Sequence, residues 1–247
     1  MSDRGRVRIE PSRKQVRVML RGQIVASTTS PVLVWEVPYY PTYYFPESDV
    51  KTDMLVETGE TKKSPSRGEA TQYAVKVNGS EGVAYSFKEP KVDELAGYYA
   101  FVWKTMDHWF EEDEEVWVHA RDPYTRIDVL PSGRRVRVEV AGVTVADTTN
   151  AFFLYETGLP TRHYMPKTDV RMDLLTPTVT VTECPYKGAA RYWTVTVDGS
   201  DHNDIAWGYD APLPESQKVA GMVAFYNERV DVYIDEVLEE KPKTKFG

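Results

Sequence analysis

Chemistry in this 247-residue chain is most readily imagined at Cys184-Pro185-Tyr186-Lys187-Gly188. A thiolate is the reactive form of cysteine, and a lysine three residues away lowers a thiol pKa if the turn brings the two together. A nucleophilic thiol also needs a base, for which His163 and His202 are available. Cys184, Lys187 and His163 are therefore the catalytic candidates. The plainer reading is a tight Pro/Gly turn, with the cysteine tucked in as a small apolar group and the lysine solvated. Lys187 could also hold an anion.

A second set is aromatic. Tyr155, Tyr164, Tyr192, Trp193, Trp207, Tyr209, Phe225 and Tyr226 all fall on expected strands or their ends. Strand alternation places Tyr192 and Trp193 on opposite faces, and Trp207 and Tyr209 on one face. Trp207, Tyr209 and Tyr164, edged by Arg162, Lys187 and Glu156, would suit a small polar ligand that carries a ring. The plainer reading makes these rings the core of a small domain, since aromatics bury much area per residue.

Other chemistries find less support. The single cysteine excludes an internal disulfide and a Cys-rich zinc site, and no metal or cofactor is expected. Nucleotidyl transfer needs carboxylates for Mg²⁺ beside a phosphate-cradling loop. Asp201 and Asp204 lie near Gly199-Ser200 in an Asp-Gly hairpin and Asp169 and Asp173 stand four apart, but neither pair is specific and no G-x-x-x-x-G-K-[ST] loop exists. The 30 basic and 38 acidic residues give a net charge of −8, which argues against nucleic acid as a partner. The N-terminal stretch has no apolar core, and no run approaches eighteen apolar residues. The expectation is a cytoplasmic protein without a membrane partner.

The elements that must position these residues come in two copies. Residues 16–80 align without a gap on 136–200 at an offset of 120 (Val136 − Val16), with 23 identities in 65 positions. QVRVMLRGQIVASTT matches RVRVEVAGVTVADTT, and Glu36, Tyr44, Pro46, Asp49 and Asp53 fall on Glu156, Tyr164, Pro166, Asp169 and Asp173. Beyond these the offset drifts to 124, with GYYAF (97–101) on GMVAF (221–225). The reading is two tandem copies of one small domain, 1–126 and 127–247. Residues 1–129 carry 17 basic and 21 acidic groups against 13 and 17 in the rest, so each half is near −4.

Each copy reads as all-β, mainly antiparallel. RVRVEV (135–140) alternates with period two, Ala141-Gly142 and Asp198-Gly199 signal hairpins, and AFFLYE (151–156) is a nearly continuous apolar strand. Only DVRMDLL (169–175) suits a short helical turn. The acidic run Glu111–Glu115 reads as a solvated strand exit, and the basic stretch Arg4–Arg21 as a flexible arm leading to a solvent-facing edge. Where the copies differ, Asp147, Arg162, His163, Cys184, Tyr186 and Lys187 stand against Ser27, Thr42, Tyr43, Ser64, Ser66 and Arg67. That contrast places a site in the second copy and leaves the first as scaffold.

VADTTNAFFLYETGLPTRHYMPKTDVRMDLL, CPYKGAARYW, IAWGYDAPLP and VAGMVAFYNERVDVYID together resemble the family known as domain of unknown function 427. The resemblance spans nearly all of 134–240, and a degenerate form covers about 15–110. It implies a β-tent, two small antiparallel sheets meeting at an angle, as in methionine-R-sulfoxide reductases and the ligand-binding domain of cereblon. Many tents hold zinc through paired Cys-x-x-Cys motifs, which this chain lacks. Reductase chemistry would require a strand-borne cysteine with a resolving partner, whereas Cys184 falls in an expected turn and is alone. A monomer with an internal pseudo-two-fold, or a weak homodimer, is the expected assembly. The leading functional expectation is small-molecule binding in an aromatic-lined pocket of the second copy. The alternatives are an enzyme using Cys184 or Lys187 in acyl, phosphoryl or nucleotidyl transfer, and a purely structural or protein-binding scaffold.

Overall fold

The computed structural model describes residues 7–244. The chain divides into two compact units, Met1–Asp122 and Pro123–Gly247. The first unit contains β1 (Arg8–Pro11), β2 (Val16–Leu20), β3 (Gln23–Thr28), β4 (Val32–Val37), β5 (Tyr40–Pro46), β6 (Leu55–Ser64), β7 (Gly68–Val77), β8 (Ser80–Pro90), β9 (Tyr98–Phe101), β10 (His108–Glu111) and β11 (Glu114–Glu115). The second contains β12 (Ile127–Ser132), β13 (Val136–Val140), β14 (Val143–Thr148), β15 (Ala151–Glu156), β16 (Arg162–Tyr164), β17 (Leu175–Cys184), β18 (Gly188–Val197), β19 (Ser200–Tyr209), β20 (Ala224–Phe225), β21 (Asp231–Ile234) and β22 (Val237–Leu238). The remaining regular structure is short 3₁₀ turns, among them Met172–Leu174 within the segment read as a helical turn and Lys167–Asp169, which meets that segment only at Asp169.

The fold is all-β and antiparallel, built twice. Strands β13, β14, β17 and β18 begin and end 120 residues after β2, β3, β6 and β7. Even the ladder irregularities repeat, at Val18/Met19 and Val138/Glu139, and at Glu57/Thr61 and Pro177/Val181. In the first unit one sheet runs β1-β4-β5-β9-β8-β7-β6 and the other β11-β10-β2-β3. In the second unit the corresponding large sheet is divided into β12-β15-β16 and β17-β18-β19-β20, and a Met165–Val223 bridge links the two parts. Its other sheet is β14-β13-β21-β22.

Strand alternation produces two apolar layers in the second unit. The larger takes Val136, Val138, Phe153, Trp193, Val195, Phe225 and Val232, and the smaller takes Leu154, Tyr164, Tyr192, Trp207, Tyr209 and Val219. AFFLYE is continuously apolar because β15 is covered on both faces: Ala151 and Phe153 enter the larger layer, Phe152 and Leu154 the smaller. The first unit repeats this division, with Val34, Tyr44, Ala70, Phe87 and Ala100 in its smaller layer.

Two expectations need correction. Glu111 is not part of a solvated exit: it is buried, accepts a hydrogen bond from the Tyr43 hydroxyl at 2.9 Å and pairs with Lys14 at 2.5 Å. The run does turn outward after it, through a β10–β11 hairpin with Glu112 and Asp113 exposed. Cys184 does not sit within the turn either; it closes β17, opposite Gly188. Arg4, at the start of the basic stretch, lies outside the described residues.

Candidate functional site

The turn after Cys184 is fixed by backbone geometry. Gly188 has φ +96° and Gly68, its counterpart, φ +103°, a region that side-chain-bearing residues rarely enter. The preceding carbonyl is held in both copies, Lys187 O by Leu213 N–H at 3.1 Å and Arg67 O by Lys91 N–H at 2.9 Å. Position 187, like position 67, thus carries a cation to the small-layer face of its sheet.

Pairing defines that face. Thr182 lies opposite Ala190 and Cys184 opposite Gly188, while Tyr209 lies opposite Ala190 and Trp207 opposite Tyr192. Cys184, Thr182, Tyr192, Trp207 and Tyr209 therefore share one side of the β17-β18-β19 surface, and Trp193 lies on the other. Strand β16 turns Arg162 and Tyr164 toward the same layer, and β15 contributes Glu156. All six residues expected to contact a ligand therefore meet in one cluster.

The cluster is buried, with Trp207 6% exposed and the Lys187 and Glu156 side chains 11% and 8%. Lys187 Nζ donates to Glu156 Oε2. Trp207 Nε1 donates to the Tyr164 hydroxyl at 3.2 Å, and the Tyr164 ring leans toward Tyr209 with centroids 6.4 Å apart. Arg162 forms a two-pronged pair with Glu228, at 2.6 and 2.7 Å, donates to Asn227, and lies over the rings of Trp207 and Tyr226 at 5.4 and 5.5 Å. A planar guanidinium suits this sandwich of carboxylate and aromatic partners. Burial raises the pKa of Tyr164 and Tyr209 well above that of an ordinary phenol, and nearby Glu156 and Cys184 push in the same direction. Both hydroxyls stay protonated and able to donate.

The structure keeps both histidines away from the thiol. His163 follows Arg162 on β16 and so points to the opposite face, edge-on to Phe153 with centroids 4.5 Å apart. Burial, reinforced by Arg162 and Arg134, lowers its pKa to about 4. His202 pairs with Val195, seven residues along β18 from the Gly188 that faces Cys184, a separation of about 20 Å at strand rise. The carboxylates considered for Mg²⁺ have local partners. Asp204 accepts from the Thr178 and Thr180 hydroxyls at 2.7 Å each, Asp201 from Thr196 at 2.7 Å, Asp169 from Thr148 at 2.6 Å, and Asp173 pairs with Arg171 at 2.6 Å. Among the described residues no group of three or more His, Cys, Asp or Glu is arranged to hold a metal.

Sequence reasoning missed the first copy. Tyr85 lies opposite Gln72 as Trp207 lies opposite Tyr192, so Tyr85 and Phe87 take the places of Trp207 and Tyr209. Glu36, Tyr44, Ser64 and Arg67 take those of Glu156, Tyr164, Cys184 and Lys187. Here the face opens as a cavity of about 20 Å³, lined among others by Glu36, Tyr44, Lys62, Ser64, Arg67, Tyr85 and Phe87. The Tyr44 hydroxyl donates to Glu36 at 2.6 Å, and Arg67 Nη1 lies 2.8 Å from that hydroxyl and 2.5 Å from Glu36. Burial opposes the charge on Arg67, but Tyr44 and Glu36 outweigh it and raise its pKa. The available signal was retention of acid, tyrosine and cation at one offset; counting Arg67 against Lys187 among the differences that leave the first copy as scaffold hid it.

The geometry thus defines a duplicated antiparallel β protein with one polar-aromatic cluster in each copy. The chain belongs to the family described as domain of unknown function (DUF427), whose family model matches it twice, over residues 8–112 and 128–236. No curated protein matches it.

Proposed function

We propose that the second unit binds a small polar molecule bearing a ring, at the face formed by Tyr164, Lys187, Glu156, Trp207 and Tyr209. One observation carries this reading. Two copies identical at only 23 of 65 aligned positions both retain a carboxylate, a tyrosine and a cation, clustered on the small-layer face. Packing does not account for that retention, because desolvating a charge pair commonly costs as much as the pair returns, and apolar side chains of similar volume would hold the layer as well. A buried acid and base that stability does not require suit exchange with a ligand's own donors and acceptors. Arg162 then acts as a brace: tied to Glu228 and Asn227, it sets the tilt of Trp207 rather than meeting the ligand. The tent resemblance agrees, since the cereblon-type domain binds through a tryptophan-lined pocket without catalysis.

The test is a thermal-shift screen of ring-bearing polar compounds against the wild type and the Glu156→Gln/Lys187→Met double variant. At least one compound class should raise the wild-type melting temperature, and the double variant should lose that rise while remaining folded. A rise of equal size in the double variant would refute the site, and no rise with any compound would refute the function.

A further inference from the structure

The first unit holds a recess of its own, and its chemistry differs from that of the second. Arg67 uses Nη1 on Tyr44 and Glu36, and Nε on the Ser64 hydroxyl at 3.2 Å, so Nη2 takes no part in these bonds. Lys62 stands where the second copy has Thr182, is exposed, and holds its ammonium 4.7 Å from the Tyr85 ring centroid. Its neighbour Lys63 pairs with Glu69, whereas Lys62 forms no ion pair among the described residues. Two cations and Glu36 leave the lining with a net charge of +1. A cavity of about 20 Å³ is only one to two times the ~10–15 Å³ that one water needs, so it admits the two oxygens of a carboxylate and leaves the rest of the molecule at its mouth. The rings of Tyr85 and Phe87 supply an apolar wall beside it.

We propose that this recess binds a small organic monocarboxylate, its carboxylate held between Arg67 Nη2 and the Lys62 ammonium and its apolar tail against Tyr85 and Phe87. A monoanion neutralises the single excess positive charge. A phosphate dianion would leave a net negative charge beside the Glu36 carboxylate, which lies 2.5 Å from Arg67. Charge-assisted bonds from two cations give the head group its hold, and the guanidinium fork orients it. In the second unit Thr182 and Lys187 replace this pair with a single cation already engaged by Glu156, so the duplication yields two sites of different preference.

The experiment is a titration of the full ¹⁵N-labelled chain with sodium benzoate, followed by amide shifts, with inorganic phosphate in parallel. Benzoate should move the amides of Ser64, Ser66, Arg67 and Gly68 and of residues 85–87 saturably. Lys62→Gln, a change at an exposed side chain, should weaken this by about tenfold or more, and Arg67→Lys should do the same. Glu156→Gln/Lys187→Met should leave these shifts unchanged, so the result is independent of the second-unit reading. Absence of saturable shifts at these amides, or wild-type affinity in Lys62→Gln, would overturn the proposal. Phosphate binding there as tightly as benzoate would overturn the carboxylate assignment.

Discussion

At the residue scale, His163 shows how burial decides what a side chain can do. It was a candidate base, but its ring packs against Phe153 with only 5% exposure and its pKa is lowered to about 4. An unfolded histidine titrates near 6.5, so between about 6.5 and 4 the unfolded chain takes a proton that the native state refuses. Stability supported by neutral His163 is therefore complete above about pH 6.5 and is lost as pH falls toward 4. The loss is about 3 kcal/mol if the whole shift is expressed. His163→Phe should flatten the wild-type curve across this window, as followed by urea melts at stepped pH. Unchanged steepness in the variant would show that other groups carry the dependence. Arg162 shows the other limit of reading residues alone. Nothing local to RHY announces that its partners are Asn227 and Glu228, 65 and 66 residues away.

At the scale of elements, β19 carries both Trp207 and Tyr209, and Gly208 between them sets how closely the next segment can pass. A Cβ at 208 would run into the Met222 carbonyl oxygen, which is backbone and cannot step aside cheaply. Gly208→Ala should therefore destabilise the second unit by about 3 kcal/mol and disturb both rings. Gly133→Ala, where an added Cβ meets nothing within 4 Å and φ is not positive, should stay within about 0.5 kcal/mol of wild type. Urea midpoints of the two variants decide this; equal midpoints would remove the claim that close packing at β19 shapes the site. Period-two alternation made these elements legible, down to the shared face of Trp207 and Tyr209 and the opposed faces of Tyr192 and Trp193. Cys184 was less legible, because proline and glycine after it signal a turn without saying on which residue the strand ends. Glu111 was misread because an acidic run suggests solvent, whereas its first member is fixed by a tyrosine 68 residues earlier.

At the scale of the whole chain, the duplication was the plainest signal in the sequence, and the strands repeat it at the same offset of 120. What the offset concealed was the equivalence of Tyr85 and Phe87 with Trp207 and Tyr209, because β19 carries two extra residues between His202 and Ala206, a ladder irregularity that falls between the aligned block and these residues. Each unit has its own pair of apolar layers. Fragments 1–122 and 123–247, expressed separately, should each melt cooperatively in calorimetry. A fragment that stays unfolded alone would show that the copies depend on one another.

The central claim is that the Glu156–Lys187 pair is kept for a ligand and not for stability, and denaturant unfolding of a mutant cycle tests it most directly. Glu156→Gln and Lys187→Met alone should each cost about 3–5 kcal/mol, since each leaves one buried charge without its partner. The double variant should return to within about 1 kcal/mol of wild type or exceed it. A double variant as unstable as either single change would contradict the account, because the pair would then be part of what holds the second unit together.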